Sequence, residues 1–125
     1  MKTITTEINH QDSRGVIIDL VENQNINAVT YISFTQGAIR ANHYHKKTTQ
    51  WNYVTKGRIK LVTQFGDEPV QEKIMMKGDL IVTVPMEKHA LVGLEDSEML
   101  VFTEGPRGGK EYESDTFRLE NPLVK

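Results

Sequence analysis

Three of the four histidines in this 125-residue chain fall into one spaced pattern. Gly37 is followed after five residues by His43-Tyr44-His45, after four more by Gln50, and after six more by Gly57. A second block runs from Gly78 across ten residues to His89, with Pro85 four positions before the histidine. Side chains at i and i+2 of a strand project to the same face, so His43 and His45 point together. A hairpin neighbour brings Gln50 alongside them, and a later strand delivers His89 from across a barrel. Two chemistries suit such a group. Three imidazoles and one amide oxygen form a ligand set for a divalent transition metal (Zn, Fe, Ni, Mn or Cu), with one or two positions left for substrate or water. The same imidazoles, with a reference pKa of about 6.5, can instead move protons near neutral pH. A lone His-x-His on a strand is commonly incidental. The flanking glycines and a third histidine at a matching distance weigh against packing alone. His10, outside the pattern, reads as a surface residue.

The elements that must position these residues are short strands separated by turn signals. Apolar and β-branched residues cluster or alternate over Val16–Leu20, Ala28–Phe34, Trp51–Val54, Ile59–Val62, Leu80–Val84 and Met99–Phe102. Gln36-Gly37, Lys56-Gly57, Phe65-Gly66-Asp67-Glu68-Pro69 and Lys77-Gly78-Asp79 punctuate them, with glycine supplying the turn conformations. Many short strands at this spacing predict an all-β sandwich or closed barrel. The longest helical candidate lies around Lys110 to Phe117. From Glu104 onward the chain changes character: Gly105-Pro106-Arg107-Gly108-Gly109 breaks any strand, and the rest is polar up to Pro122-Leu123-Val124. Tyr112, Phe117 and Leu119 would be wasted on a floppy tail. Residues 104–125 are therefore expected to form an arm, packed across a neighbouring subunit or the barrel mouth.

Composition narrows the function classes. A chain of this length holds one domain. Fifteen basic against seventeen acidic side chains give a formal charge of -2, which argues against a nucleic-acid surface. No apolar run reaches the roughly 20 residues of a membrane helix. Met1-Lys2-Thr3-Ile4-Thr5 lacks the apolar core of a signal peptide, so a cytoplasmic location is expected. Without cysteine, thiolate metal sites and thiol nucleophiles are excluded. No organic cofactor is expected.

The two glycine-histidine blocks resemble the two motifs of the cupin superfamily, G(X)5HXH(X)3-4E(X)6G and a following glycine-proline-histidine block. The first matches at every spacing, with Gln50 standing where glutamate is usual; in the second, His89 keeps its distance from Gly78 while Pro85 is displaced by one. The resemblance covers residues 13 to 103 and implies a double-stranded β-helix, or jelly-roll barrel, in a homodimer. Residues Arg40 to Gln50 are similar to the R-G-x-H-A-H-K-K-x-x-Q stretch of nucleotide-sugar 3,4-ketoisomerases, with Ala41 in place of the glycine. Asn42-His43-Tyr44-His45 resembles the cupin domain of capsular polysaccharide-assembling proteins. Asp12-Ser13-Arg14-Gly15 resembles the D-x-R-G entry strand shared with dTDP-4-dehydrorhamnose 3,5-epimerases.

That resemblance implies isomerisation or epimerisation of a nucleotide-linked keto sugar by histidine acid-base chemistry. His45 would be the principal base and His43 its partner. Arg14, Arg40 and Arg107 are candidates for the diphosphate, because guanidinium forks suit it. Gln50 would line the substrate pocket, and Tyr53 or Trp51 could stack on a ring, although packing is the commoner fate for Trp51. Strict alternation puts Arg40 on the face opposite His43 and His45 unless the strand is bulged. The competing reading is a metal-binding cupin, a dioxygenase or metal-dependent isomerase, with His43, His45, Gln50 and His89 as ligands. A third is a non-catalytic small-molecule-binding barrel.

Overall fold

A computed structural model describes residues 1–107 and 111–125; Gly108, Gly109 and Lys110, which belong to the expected arm, lie outside the described residues. Its strands are β1 (Lys2–Ile4), β2 (Ile8–Asp12), β3 (Gly15–Ile18), β4 (Ala28–Phe34), β5 (Ile39–Tyr44), β6 (Thr49–Lys56), β7 (Arg58–Phe65), β8 (Gln71–Met76), β9 (Leu80–Thr83), β10 (Glu87–Gly93), β11 (Ser97–Glu104) and β12 (Phe117–Arg118). Among the described residues there is one short helix, α1 (Glu111–Ser114), inside the expected Lys110–Phe117 segment. No helix among the described residues is long and apolar enough to cross a membrane.

Two five-stranded antiparallel sheets face each other, ordered β1-β9-β6-β11-β4 and β12-β5-β10-β7-β8, while β2 and β3 form a separate hairpin. The strand spacing predicts an all-β sandwich or barrel, and the structure is one, in the jelly-roll form that the cupin resemblance implies. Apart from β7 and β8, which are neighbours in one sheet, successive strands from β4 to β11 lie in opposite sheets, so their turns carry the chain across the barrel, as from β4 to β5, β6 to β7, β8 to β9 and β10 to β11. Gly57 sits in the tightest of these crossings, at φ +77°, where an added Cβ would lie 2.3 Å from Ser97 Oγ and 2.6 Å from the Asp96 carbonyl. Only glycine fits there, for conformation and for space together.

β11 alternates strictly, with Ser97, Met99, Val101 and Thr103 turned inward. Val54, Ile59, Leu61, Met75, Ile81, Leu91, Met99 and Val101 meet Phe34 in one buried apolar cluster. Further along the same inward faces the residues become polar: Gln50 pairs with Thr83 and Thr103, and His89 with Thr63. The barrel thus has an apolar floor below a polar chamber. That division positions the site.

Candidate functional site

The chamber is shaped by an irregularity in β5. In its register with β10, His43 pairs with His89 and Ala41 with Ala90, so Asn42 is extruded as a bulge. Ala41 and Asn42 both adopt left-handed conformations, at φ 69° and 57°. Such backbone is disfavoured for residues with a Cβ and concentrates at functional sites. Its effect here is to shift the alternation by one. Arg40 pairs with Leu91, two residues from His89 on β10, and so faces the chamber with His43. Arg40 also donates to the Ser33 carbonyl at 3.0 Å and lies over the Phe34 ring, 5.4 Å from its centroid.

The three histidines form a compact cluster. Ring centroids are 4.7 Å apart for His43 and His45, 4.7 Å for His43 and His89, and 5.3 Å for His45 and His89. One ring nitrogen of each lies within 4.8 Å of the other two. Backbone carbonyls orient two of the rings: His45 Nδ1–H donates to the Asp115 carbonyl at 2.7 Å, and His89 Nδ1–H to the Glu87 carbonyl at 3.0 Å. In the neutral rings the lone pair therefore sits on Nε2. His45 Nε2 and His43 Nδ1 are buried with no hydrogen-bond partner among the described residues. Burial, then the neighbouring His89 and His45, then Arg118 and Arg107, hold His43 down to about 3. Burial lowers His89 to about 4, with His45 adding to the effect and the bond to the Glu87 carbonyl opposing it. Both are neutral at pH 7, with lone pairs to give.

A cavity of about 620 Å³ opens over the cluster, within the usual range for small-molecule sites. His43, His89, Gln50 and Asn52 line it, as do Arg40, Arg107 and Arg118 and the ring of Tyr112. Gln50 and His89 thus line the cavity beside His43, and Arg40 joins them through the bulge. His45, expected as the principal base, is not part of the wall; it lies behind, buried and tied to Asp115. Two further expectations fail. Arg14 sits on the β2–β3 hairpin with its side chain 85% exposed, held by Asp12 at 2.6 Å and away from the cavity. Tyr53 alternates against the inward-facing Asn52 and Val54, so it projects to the outside of the barrel with Trp51. Trp51 instead lines a smaller hollow with Ile4, Leu20 and Val21.

The arm supplies the remaining wall. β12 pairs with β5, Phe117 opposite Tyr44 and Arg118 opposite His43. Asn42, extruded by the bulge, accepts from the Leu123 and Val124 amides through Oδ1 and donates to the Val124 carbonyl. The arm therefore packs on its own barrel, and the bulge is its docking point.

A sequence profile described as the polysaccharide biosynthesis C-terminal domain matches residues 10–117. The chain belongs to this family. Among curated proteins, the pectin degradation protein KdgF of Dickeya dadantii is 30% identical over 76 residues, 61% of this chain and 64% of that protein. The fold is shared with solved structures of low sequence identity. The sugar 3,4-ketoisomerase QdtA of Thermoanaerobacterium thermosaccharolyticum, in complex with TDP, superposes with a TM-score of 0.74 at 20% identity, covering 94% of this chain and 87% of that one. The rmlC epimerase of Mycobacterium tuberculosis gives 0.76 at 14% identity over 94% and 67%. The capsular polysaccharide assembling protein CapF of Staphylococcus aureus gives 0.66 at 18% over 94% of this chain, which spans only 35% of CapF.

In this member of the polysaccharide biosynthesis C-terminal domain family, several site residues had no signal in the sequence. Arg118 and Asp115 come from the arm, where no motif marks them, and Tyr112 was marked only as an aromatic residue that must pack somewhere. Asn52 and Thr83 become visible only once Gln50 is known to face inward, because they share its face. Ala41 was the one cue to the bulge: the glycine of the resembling ketoisomerase stretch falls at a left-handed position here.

Proposed function

We propose that this protein isomerises or epimerises a keto sugar carried on a nucleoside diphosphate. The observation that carries the reading is one cavity lined by imidazoles at its base and by Arg40, Arg107 and Arg118 on its walls. Guanidinium groups suit a diphosphate, and the imidazoles suit the carbon acid beside a carbonyl. The likeness in fold to QdtA with bound TDP and to the rmlC epimerase supports it. His43, on the cavity wall, removes the proton α to the carbonyl, and the C–H electron pair moves into an enediolate with the charge on the former carbonyl oxygen. Passing the hydroxyl proton of the deprotonated carbon to that oxygen, and returning the abstracted proton to the former carbonyl carbon, moves the keto group; returning the abstracted proton to the opposite face of the carbon it left inverts that carbon. An anion seated between Arg107 and Arg118 offsets two of the charges that depress His43, so the base strengthens as substrate binds. The test is incubation of the full chain with a TDP-linked 4-keto-6-deoxy sugar in D2O. Proton NMR should show deuterium entering beside the carbonyl and a new isomer; neither appearing with TDP- or UDP-linked 4-keto sugars would sink the reading.

A second reading rests on the convergence of the three ring nitrogens. His43, His45 and His89 fit a divalent transition metal, because two of their buried nitrogens lack any other partner and two rings are oriented by carbonyls. Gln50 lines the same cavity and would offer a neutral oxygen. Bound there, a metal would polarise a substrate oxygen.

We also propose that the chain is a homodimer. Ile8, Val16 and Ile17 are exposed on the detached hairpin, Ile17 at 58%, and Val29 and Tyr31 are exposed on β4, the open end of its sheet. Apolar open edges are normally covered. Light scattering should give twice the chain mass, and Ile17→Lys should halve it; a monomeric wild type would end the idea.

A further inference from the structure

Asp115 is 3% exposed and does not line the cavity, yet it makes more polar contacts with the β5–β6 turn than any other described residue of the arm. Its carboxylate accepts from the Lys46 amide at 3.0 Å, the Lys47 amide at 3.0 Å and the Thr48 hydroxyl at 2.7 Å. Its main-chain carbonyl accepts from His45 Nδ1–H at 2.7 Å. One residue therefore grips the turn after β5 with its side chain and a cluster histidine with its backbone. Burial alone would push the carboxyl up; the bonds from Thr48, Lys47 and Lys46, with His45 nearby, outweigh it and leave the group below its ordinary value.

We propose that Asp115 is a positioning residue whose carboxylate, by anchoring the arm to the Lys46–Thr48 turn, holds its carbonyl on His45 and so sets that histidine's tautomer. The consequence is chemical. With Nδ1 donating to the carbonyl, Nε2 carries the lone pair inside the cluster, ready to accept a proton or ligate a metal. Released into water, a neutral imidazole is free to place its proton on either nitrogen, and a proton on Nε2 would close that position. The remainder of the arm has its own ties, through β12 on β5 and through Asn42, so losing the carboxylate frees the carbonyl without detaching the arm. His89 takes its orientation from Glu87 on its own strand and is independent of the arm.

This inference rests on the histidine cluster being the functional site, but its test reads the imidazoles directly. Long-range proton–nitrogen NMR on the metal-free, 15N-labelled full chain near neutral pH distinguishes the two tautomers. Wild type should show the Nδ1–H form at both His45 and His89. In Asp115→Ala the Nδ1–H form of His45 should be lost while His89 is unchanged. Asp115→Asn, which keeps an acceptor oxygen, should restore it. An Asp115→Ala protein whose His45 keeps the Nδ1–H form overturns the proposal, as does an equal change at His89, which would mean general loosening. If Asp115→Ala does not fold, Thr48→Val decides: a mixed His45 tautomer supports the anchor, and an unchanged one overturns it. No substrate enters these spectra, so a protein inert toward keto sugars would count against the proposed activity alone.

Discussion

Replacing His43 with alanine is expected to slow deuterium entry into a TDP-linked keto sugar by about 10²–10⁴-fold, the usual contribution of a positioned base. The barrel should stay folded, because His43 lies on the chamber wall and outside the apolar cluster of the floor. Circular dichroism checks the fold, and initial exchange rates check the chemistry. An exchange rate within a few-fold of wild type would remove His43 from the role of base. Elemental analysis of the same protein, after loading with Zn or Ni, separates the two readings of the cluster. About one ion per chain in wild type, lost in both His43→Ala and His89→Ala, would establish a metal centre. A protein that takes up no metal leaves the imidazoles as proton movers. In that case His89→Ala should retain much of its exchange activity, whereas His43→Ala should not.

The second large effect is on stability in acid. His43 is held down to about 3 and His89 to about 4 in the folded chain, against about 6.5 when unfolded. Between those values the unfolded chain binds protons that the folded chain refuses. Both depressed groups therefore contribute stability above about pH 6.5 that is withdrawn as pH falls toward 4 and 3. Each pKa unit corresponds to about 1.4 kcal/mol. The pair is expected to remove several kcal/mol, a large share of the 5–15 kcal/mol that a domain possesses. Urea midpoints measured after chelator treatment should fall steeply between pH 6.5 and 4, and a His43→Gln/His89→Gln variant should give a flatter profile. Equal midpoints for wild type at pH 7 and pH 4.5 would show that the cluster is not buried as neutral rings.

The sequence was most legible where one face of a strand decides everything. Ala28–Phe34 alternates cleanly and appears unchanged as β4, and His43 and His45 fall into one cluster because i and i+2 share a face. It was least legible where the backbone leaves the regular pattern. Arg40 reaches the cavity through a bulge of two left-handed residues, neither of them glycine. Period-two reasoning puts that arginine outside. Tyr53 shows the complementary error: the stacking role asked of it belongs to a face that alternation denies. Arg14 failed for another reason. A hairpin belonging to neither main sheet has no register with the site, so its motif carries no positional information within the chain. The arm was recognised by its aromatic residues, but its contributions come from single residues anchored across 67 or more positions, and such contacts leave no local mark.

The arm also bears on the order in which the molecule is made. The barrel joins distant segments, β1 with β9 and β4 with β11, so its sheets cannot be completed until most of the chain has been synthesised. Even then the site is unfinished. His45 awaits a carbonyl that follows it by 70 residues, and the opposite wall awaits Tyr112 and Arg118. A nascent or clipped chain ending before α1 would hold all three histidines in a closed barrel with one of them unfixed. The proposed chemistry would therefore become available last, and a cut in the arm is expected to silence it while leaving intact the apolar cluster, to which the arm contributes no residue.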